Sequence, residues 1–164
     1  MKKVVISILI VMLFLSFVGC SSWGDVRGKL GEAGYVQFDM QKEDPTDKEK
    51  SIMSIISREY KKYTNALSDN KDVHYYALAI VPKSINFVAL ANLDFVVIVE
   101  FSSLDKLEEE IGKNEGFKAL VEGVVGVEDD LVGEAIRSGV IVDNCFIHAK
   151  GKNAKTLYQT LLEE

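Results

Sequence analysis

Apolar and polar positions change period several times along the 164 residues, and each change marks an element. Val4 to Val18 is a run of apolar residues broken only by Ser7 and Ser16. Ser21 to Gly34 loses periodicity and carries Gly24, Gly28, Gly31 and Gly34, a density that predicts a tether without fixed structure. Tyr35 to Met40 alternates, with Val36, Phe38 and Met40 on one side, as a short strand requires. Thr46 and Glu49 stand at capping-box spacing ahead of a helical stripe of Ile52, Ile55, Ile56, Tyr60, Tyr63 and Leu67. Ser68, Asp69 and Asn70 close that helix. Val73–Val81, Ile85–Ala91 and Phe95–Phe101 follow as β-rich runs joined by turn residues. Consecutive apolar residues from Val96 to Val99 predict a central strand covered on both faces.

Helical spacing then takes over. Ser102 or Ser103 caps a helix with Leu104, Leu107 and Ile111 inward and Gly112 as its stop. Asn114 caps a second with Phe117, Leu120, Val121 and Val124, and Asp129 or Asp130 caps a short third that ends at Gly139. Val140–Ala149 returns as a strand, and Asn153 opens a terminal helix with Leu157, Tyr158, Leu161 and Leu162 on one side. This order predicts an α+β domain over residues 35–164: an antiparallel sheet with helices packed on one face. Without one hairpin strand and the last helix, the order reduces to the ferredoxin-like βαββαβ plan. The stretch Leu93-Asp94-Phe95-Val96-Val97-Ile98-Val99-Glu100-Phe101-Ser102-Ser103-Leu104, with Phe117-Lys118-Ala119-Leu120-Val121, resembles the dimeric α/β-barrel superfamily. Some members of that group are small-molecule enzymes. The histidine that many carry before the second helix is replaced here by Asn114-Glu115-Gly116, so the resemblance implies a fold and no reaction.

Lys2 and Lys3 precede the apolar run, and Phe17-Val18-Gly19-Cys20 ends it before polar Ser21 and Ser22. A basic start, a short apolar stretch and a small residue at the cut describe an export signal over residues 1–19. The closing tetrapeptide resembles the lipobox of bacterial lipoproteins, with Phe17 in place of the usual aliphatic residue. That resemblance implies cleavage before Cys20, a diacylglycerol thioether on its sulfur and usually a further acyl chain on its amine. Two or more chains hold a protein on a bilayer stably, where one is marginal. The expected location is the cell membrane or the outer membrane, with the domain outside the cytoplasm. Residues 20–34 then form the tether, with Trp23 at the lipid interface or packed on the domain edge.

Charge narrows the partners. The chain carries 19 basic and 25 acidic residues; without Lys2 and Lys3 the basic count falls to 17 and the net charge to −8. Residues 20–90 balance ten basic against ten acidic side chains, whereas residues 91–164 hold seven against fifteen. No basic stripe for nucleic acid exists in such a chain. An acidic face suited to a basic protein or a cation-rich wall polymer is the expectation, alongside the membrane partner.

Chemistry is sparse. Two histidines and one cysteine besides Cys20 supply neither a disulfide scaffold nor a multi-histidine metal site, and no cofactor motif occurs. Glu108-Glu109-Glu110 and Glu128-Asp129-Asp130 lack calcium-loop spacing, and Gly151-Lys152-Asn153 lacks the upstream glycine of a phosphate loop. Cys145 and His148, three apart in one strand, point to opposite faces, which leaves His74 as the other potential partner of the thiol. His74, Tyr75 or Tyr76, Cys145 and His148 are the candidates for any pocket. The sequence therefore predicts a non-catalytic binding or scaffolding module on the envelope, with a small-molecule or enzymatic barrel as the alternative.

Overall fold

The structure is a computed structural model that describes residues 23–67, 70–84 and 86–163. The expected export signal and lipidation site at Cys20 lie outside the described residues. In chain order the elements are α1 (Trp23–Glu32), β1 (Tyr35–Asp39), α2 (Asp47–Ala66), β2 (Val73–Ile80), α3 (Phe87–Ala91), β3 (Phe95–Phe101), α4 (Leu104–Lys113), α5 (Glu115–Val125), α6 (Leu131–Arg137), β4 (Ile141–Val142), β5 (Cys145–Lys150) and α7 (Lys152–Glu163). The α+β class, the antiparallel sheet and the C-terminal helix are as expected.

Neighbouring strands in the sheet run β1-β2-β3-β5-β4, and every pairing is antiparallel. In a ferredoxin-like unit the two strands joined by the first helix are parallel, with another strand between them; here β2 is the direct antiparallel neighbour of β1, so that plan is corrected. The physical reason lies in α2, which returns the chain so that β2 runs back beside β1 instead of crossing to a parallel position. Gln41 extends this pairing with its side chain: its Oε1 accepts the Tyr75 N–H at 2.9 Å where β1 has already turned away.

Helices cover both faces of the sheet, not one. On one face α2, α4, α5 and α6 contribute Ile52, Ile56, Tyr63, Leu107, Ile111, Phe117, Val121 and Leu131 to a core with Val97, Val99 and Phe146. On the other, α1 and α7 bring Trp23, Val26, Leu30, Ala154, Tyr158 and Leu161 against Tyr76, Val96, Ile98, Cys145 and Ile147. Strand β3 is buried from Phe95 to Val99, its residues alternating between the two cores, as its unbroken apolar run requires.

Capping signals read from the sequence hold for α2, α4 and α5. The Thr46–Glu49 box is closed, Glu49 Oε2 accepting the Thr46 N–H at 2.6 Å. These bonds hold the Glu49 carboxyl down to about 2. Ser103 accepts from the Lys106 N–H at 3.2 Å, and Asn114 from the Phe117 N–H at 3.0 Å. Other boundaries shift. Gly112 lies inside α4, which runs to Lys113. Asp130 precedes α6 but makes no cap bond; its carboxylate pairs with Arg137 at 2.9 Å. The expected strand at 85–91 is replaced by α3, because Asn86 accepts the Ala89 N–H at 2.8 Å and starts a helical turn. Val140–Ala149 folds into a β4–β5 hairpin, turned at Asp143, whose φ is +53°.

The largest correction concerns the tether. Residues 23–32 form α1 because Trp23, Val26 and Leu30 recur at one face, while Gly24, Gly28 and Gly31 lie exposed opposite them. Burial of three large side chains, at about 1.5–3 kcal/mol each, outweighs a helix penalty of about 1 kcal/mol per glycine. Trp23 is 6% exposed, its indole N–H donating to the Tyr76 hydroxyl at 2.7 Å and its backbone N–H to Asp143 Oδ2 at 2.8 Å. As Trp23 is the only tryptophan, its emission is expected to be blue-shifted and poorly quenched by acrylamide in the folded protein. Trp23→Phe is expected to cost about 1–2 kcal/mol in urea unfolding, since it removes the indole N–H that donates to the buried Tyr76 hydroxyl.

Candidate functional site

Strand register settles which candidate residues meet. His74, Glu100 and Cys145 are directly opposite one another across β2, β3 and β5, on the face covered by α1 and α7. Tyr76 lies two positions along β2 on that face, with its ring centroid 6.0 Å from that of Trp23 and 5.8 Å from that of His74. Three of the four candidates therefore share a region, as alternation in the strands brings them there. Their order is unsuited to nucleophile activation. Glu100 stands between thiol and imidazole, and two interstrand spacings of roughly 4.8 Å keep His74 from Cys145. Burial pushes the Cys145 thiol up to about 12, and the Glu100 carboxylate adds to the effect. Such a thiol remains protonated and acts as a small apolar group. His74 is half exposed, its Nε2 3.3 Å from Asp39 Oδ1.

His148 points the other way, as the three-residue spacing predicts. Its Nδ1 meets the Tyr63 hydroxyl of α2, and the two rings stand edge to face with centroids 6.3 Å apart. Burial raises the Tyr63 phenol above its ordinary range, so the hydroxyl keeps its proton in this contact. Burial lowers the His148 pKa; Lys150, Lys155 and Lys62 push the same way, with Glu59 opposing them. A base with a lowered folded-state pKa takes up its proton more readily when unfolded. Its contribution to stability is thus intact above the ordinary histidine value of about 6.5 and is lost as pH falls below it. Measured urea midpoints should therefore drop between roughly pH 7 and pH 5, and His148→Gln should flatten that drop.

The larger concavities avoid most of these residues. His74 lines an open polar cleft of about 580 Å³ with Gln41, Glu100 and Asn144, and His148 lines a groove of about 290 Å³ beside Val124 and Tyr158. A roomier one, about 750 Å³, lies between α2, the segment after α3 and the β5–α7 turn. Ile55, Leu90 and Phe95 contribute apolar surface, and Arg58, Lys150 and Lys152 contribute positive charge. None of the candidates from the sequence lines it. Arg58 reads in the sequence as part of the solvated side of a helix, and the Gly151-Lys152-Asn153 turn reads as a helix start. Asn153 is not the cap of α7: it lies in the first turn and donates to Asp94 Oδ2 at 2.8 Å. The only sequence signal for this cleft was the cation-rich Lys150–Lys155 segment.

The cleft and the start of α1 sit at opposite ends of the sheet. Trp23 is bonded to Asp143, beside the first residue of β5, whereas the cleft takes in Lys150, the last residue of β5. The acidic clusters are partly spent on local partners. Glu109 pairs with Lys106 and Lys113, Glu110 accepts from Asn70 and Asn114, and Asp130 and Glu134 flank Arg137. Among the described residues no group of three His, Cys, Asp or Glu side chains could hold a metal ion, and no helix is long and apolar enough to cross a membrane. No family model, curated protein or solved structure matches the chain.

Proposed function

We propose that this chain is an envelope lipoprotein, held on a bilayer by acyl chains at Cys20, whose folded body is a rigid binding or scaffolding module. The observation that carries the reading is the short distance between the acceptor cysteine and the body. Trp23 follows Cys20 by three residues and is tied into the domain through Asp143 and Tyr76. Three residues reach at most about 10 Å. A module attached in this way turns a fixed end to the membrane, that of Asp143 and His74, and its other end outward. A long flexible leash would not give such a fixed orientation.

The separation of the reactive groups supports a binding role over catalysis. His74 and His148 lie on opposite faces, and the thiol is buried and protonated. Acidic groups of the later half that remain solvated, such as Glu108 and Asp129, favour a basic partner in the envelope, an interaction that should weaken as salt rises.

Metabolic labelling with radioactive palmitate tests the anchor. The wild-type chain should incorporate label and sediment with membranes. Cys20→Ala should lose the label entirely, and unchanged labelling of that variant would overturn the reading.

A further inference from the structure

The cleft at the outer end of the sheet has an excess of free positive charge in a chain whose net charge is −6. Both of its carboxylates are engaged. Glu59 pairs with Lys62 at 2.8 Å and with Lys150 at 3.4 Å, and Asp94 accepts from Asn153 at 2.8 Å. Arg58 and Lys152 have no ion pair and no side-chain hydrogen bond among the described residues. Behind these cations lie Ile55, Leu90, Leu93 and Phe95. The N-terminus of α7 is not the attraction, because the Asp94 carboxylate already packs against Gly151 there.

We infer that this cleft binds a small anion with an apolar body, the charged group taken by Arg58 and Lys152 and the apolar part by Ile55, Leu90 and Phe95. A guanidinium offers a planar pair of donors to a carboxylate or phosphate, and an ammonium adds a point charge beside it. A volume of about 750 Å³ suits a ligand of that kind. Elsewhere the acidic surface of the later half repels anions, so binding should be confined to this place. The inference rests on the reading of the body as a binding module and does not depend on the lipid at Cys20.

Calorimetric titration of the full chain in lipid nanodiscs tests it, with 1-naphthyl phosphate as probe and empty nanodiscs subtracted. Saturable binding is expected, weakening with salt and at least tenfold stronger than that of inorganic phosphate. The double variant R58Q/K152Q should bind at least tenfold more weakly, while K71Q, at the other end of β2, should bind like wild type. Both altered side chains are exposed, so the far-ultraviolet circular dichroism should be unchanged. Absence of saturable binding, equal affinity for inorganic phosphate, or undiminished binding by R58Q/K152Q would each overturn the cleft assignment. Palmitate incorporation in the same preparations reads the anchor separately, so loss of one conclusion leaves the other standing.

Discussion

Phe146→Ala is expected to destabilise the protein by about 3–5 kcal/mol and to lower the thermal midpoint by roughly 10 °C. Phe146 is fully buried in β5 at the centre of the larger core. Its ring centroid is 5.6 Å from that of Tyr63 and 5.5 Å from that of Phe117, which in turn lies 5.5 Å from Phe101. One ring thus joins α2, α5 and the sheet. Truncation leaves a hole bordered by three elements, and a strand held between β3 and β4 cannot move inward to fill it. A loss of that size removes a large part of the 5–15 kcal/mol typical of a domain. Val88→Ala, at a side chain 70% exposed, should stay within about 0.5 kcal/mol and serves as the control. A Phe146→Ala midpoint close to wild type would refute the packing described for this face.

Gly151→Ala is expected to cost about 3 kcal/mol, for two separable reasons. The residue has φ +92°, where an L side chain is strained by about 1–3 kcal/mol. A Cβ at this site would also lie 1.8 Å from Asp94 Oδ1, so the carboxylate must leave and its bond to Asn153 is lost. In an Asp94→Ala background the carboxylate overlap is gone, leaving the strain and a tight 3.2 Å approach to the Cα of residue 94. The same glycine substitution should then cost about 1 kcal/mol, a coupling that a double-mutant cycle in urea unfolding would read directly. Equal cost in both backgrounds would show that Asp94 does not pack on the turn.

These two sites also separate what local pattern reveals from what it hides. The α2 stripe, the Thr46–Glu49 box, the Ser103 and Asn114 caps and the double-sided burial of β3 were all legible, because each depends on residues within one or two turns or on period alone. Reading α1 as a tether failed because the four glycines outweigh the three apolar residues in composition but not in burial. Only the face of the sheet, built from residues 50–120 positions later, reveals where Trp23, Val26 and Leu30 go. The split of Cys145 from His148 followed from strand parity, yet the approach of Tyr63 to His148, 85 residues away, did not.

The amino-acid order alone settled the α+β class, most element boundaries, the acidic later half and the expectation of an anchor at Cys20. Periodicity, capping chemistry and a signal layout are short-range properties, carried by neighbours along the chain. Folding in three dimensions settled the β1-β2-β3-β5-β4 order, the helices on both faces, the docking of α1 and the cleft that gathers Arg58 with Lys152. Those depend on which apolar faces bury one another and on where α2 returns the chain, and contacts between distant segments leave no periodic trace in the sequence that forms them.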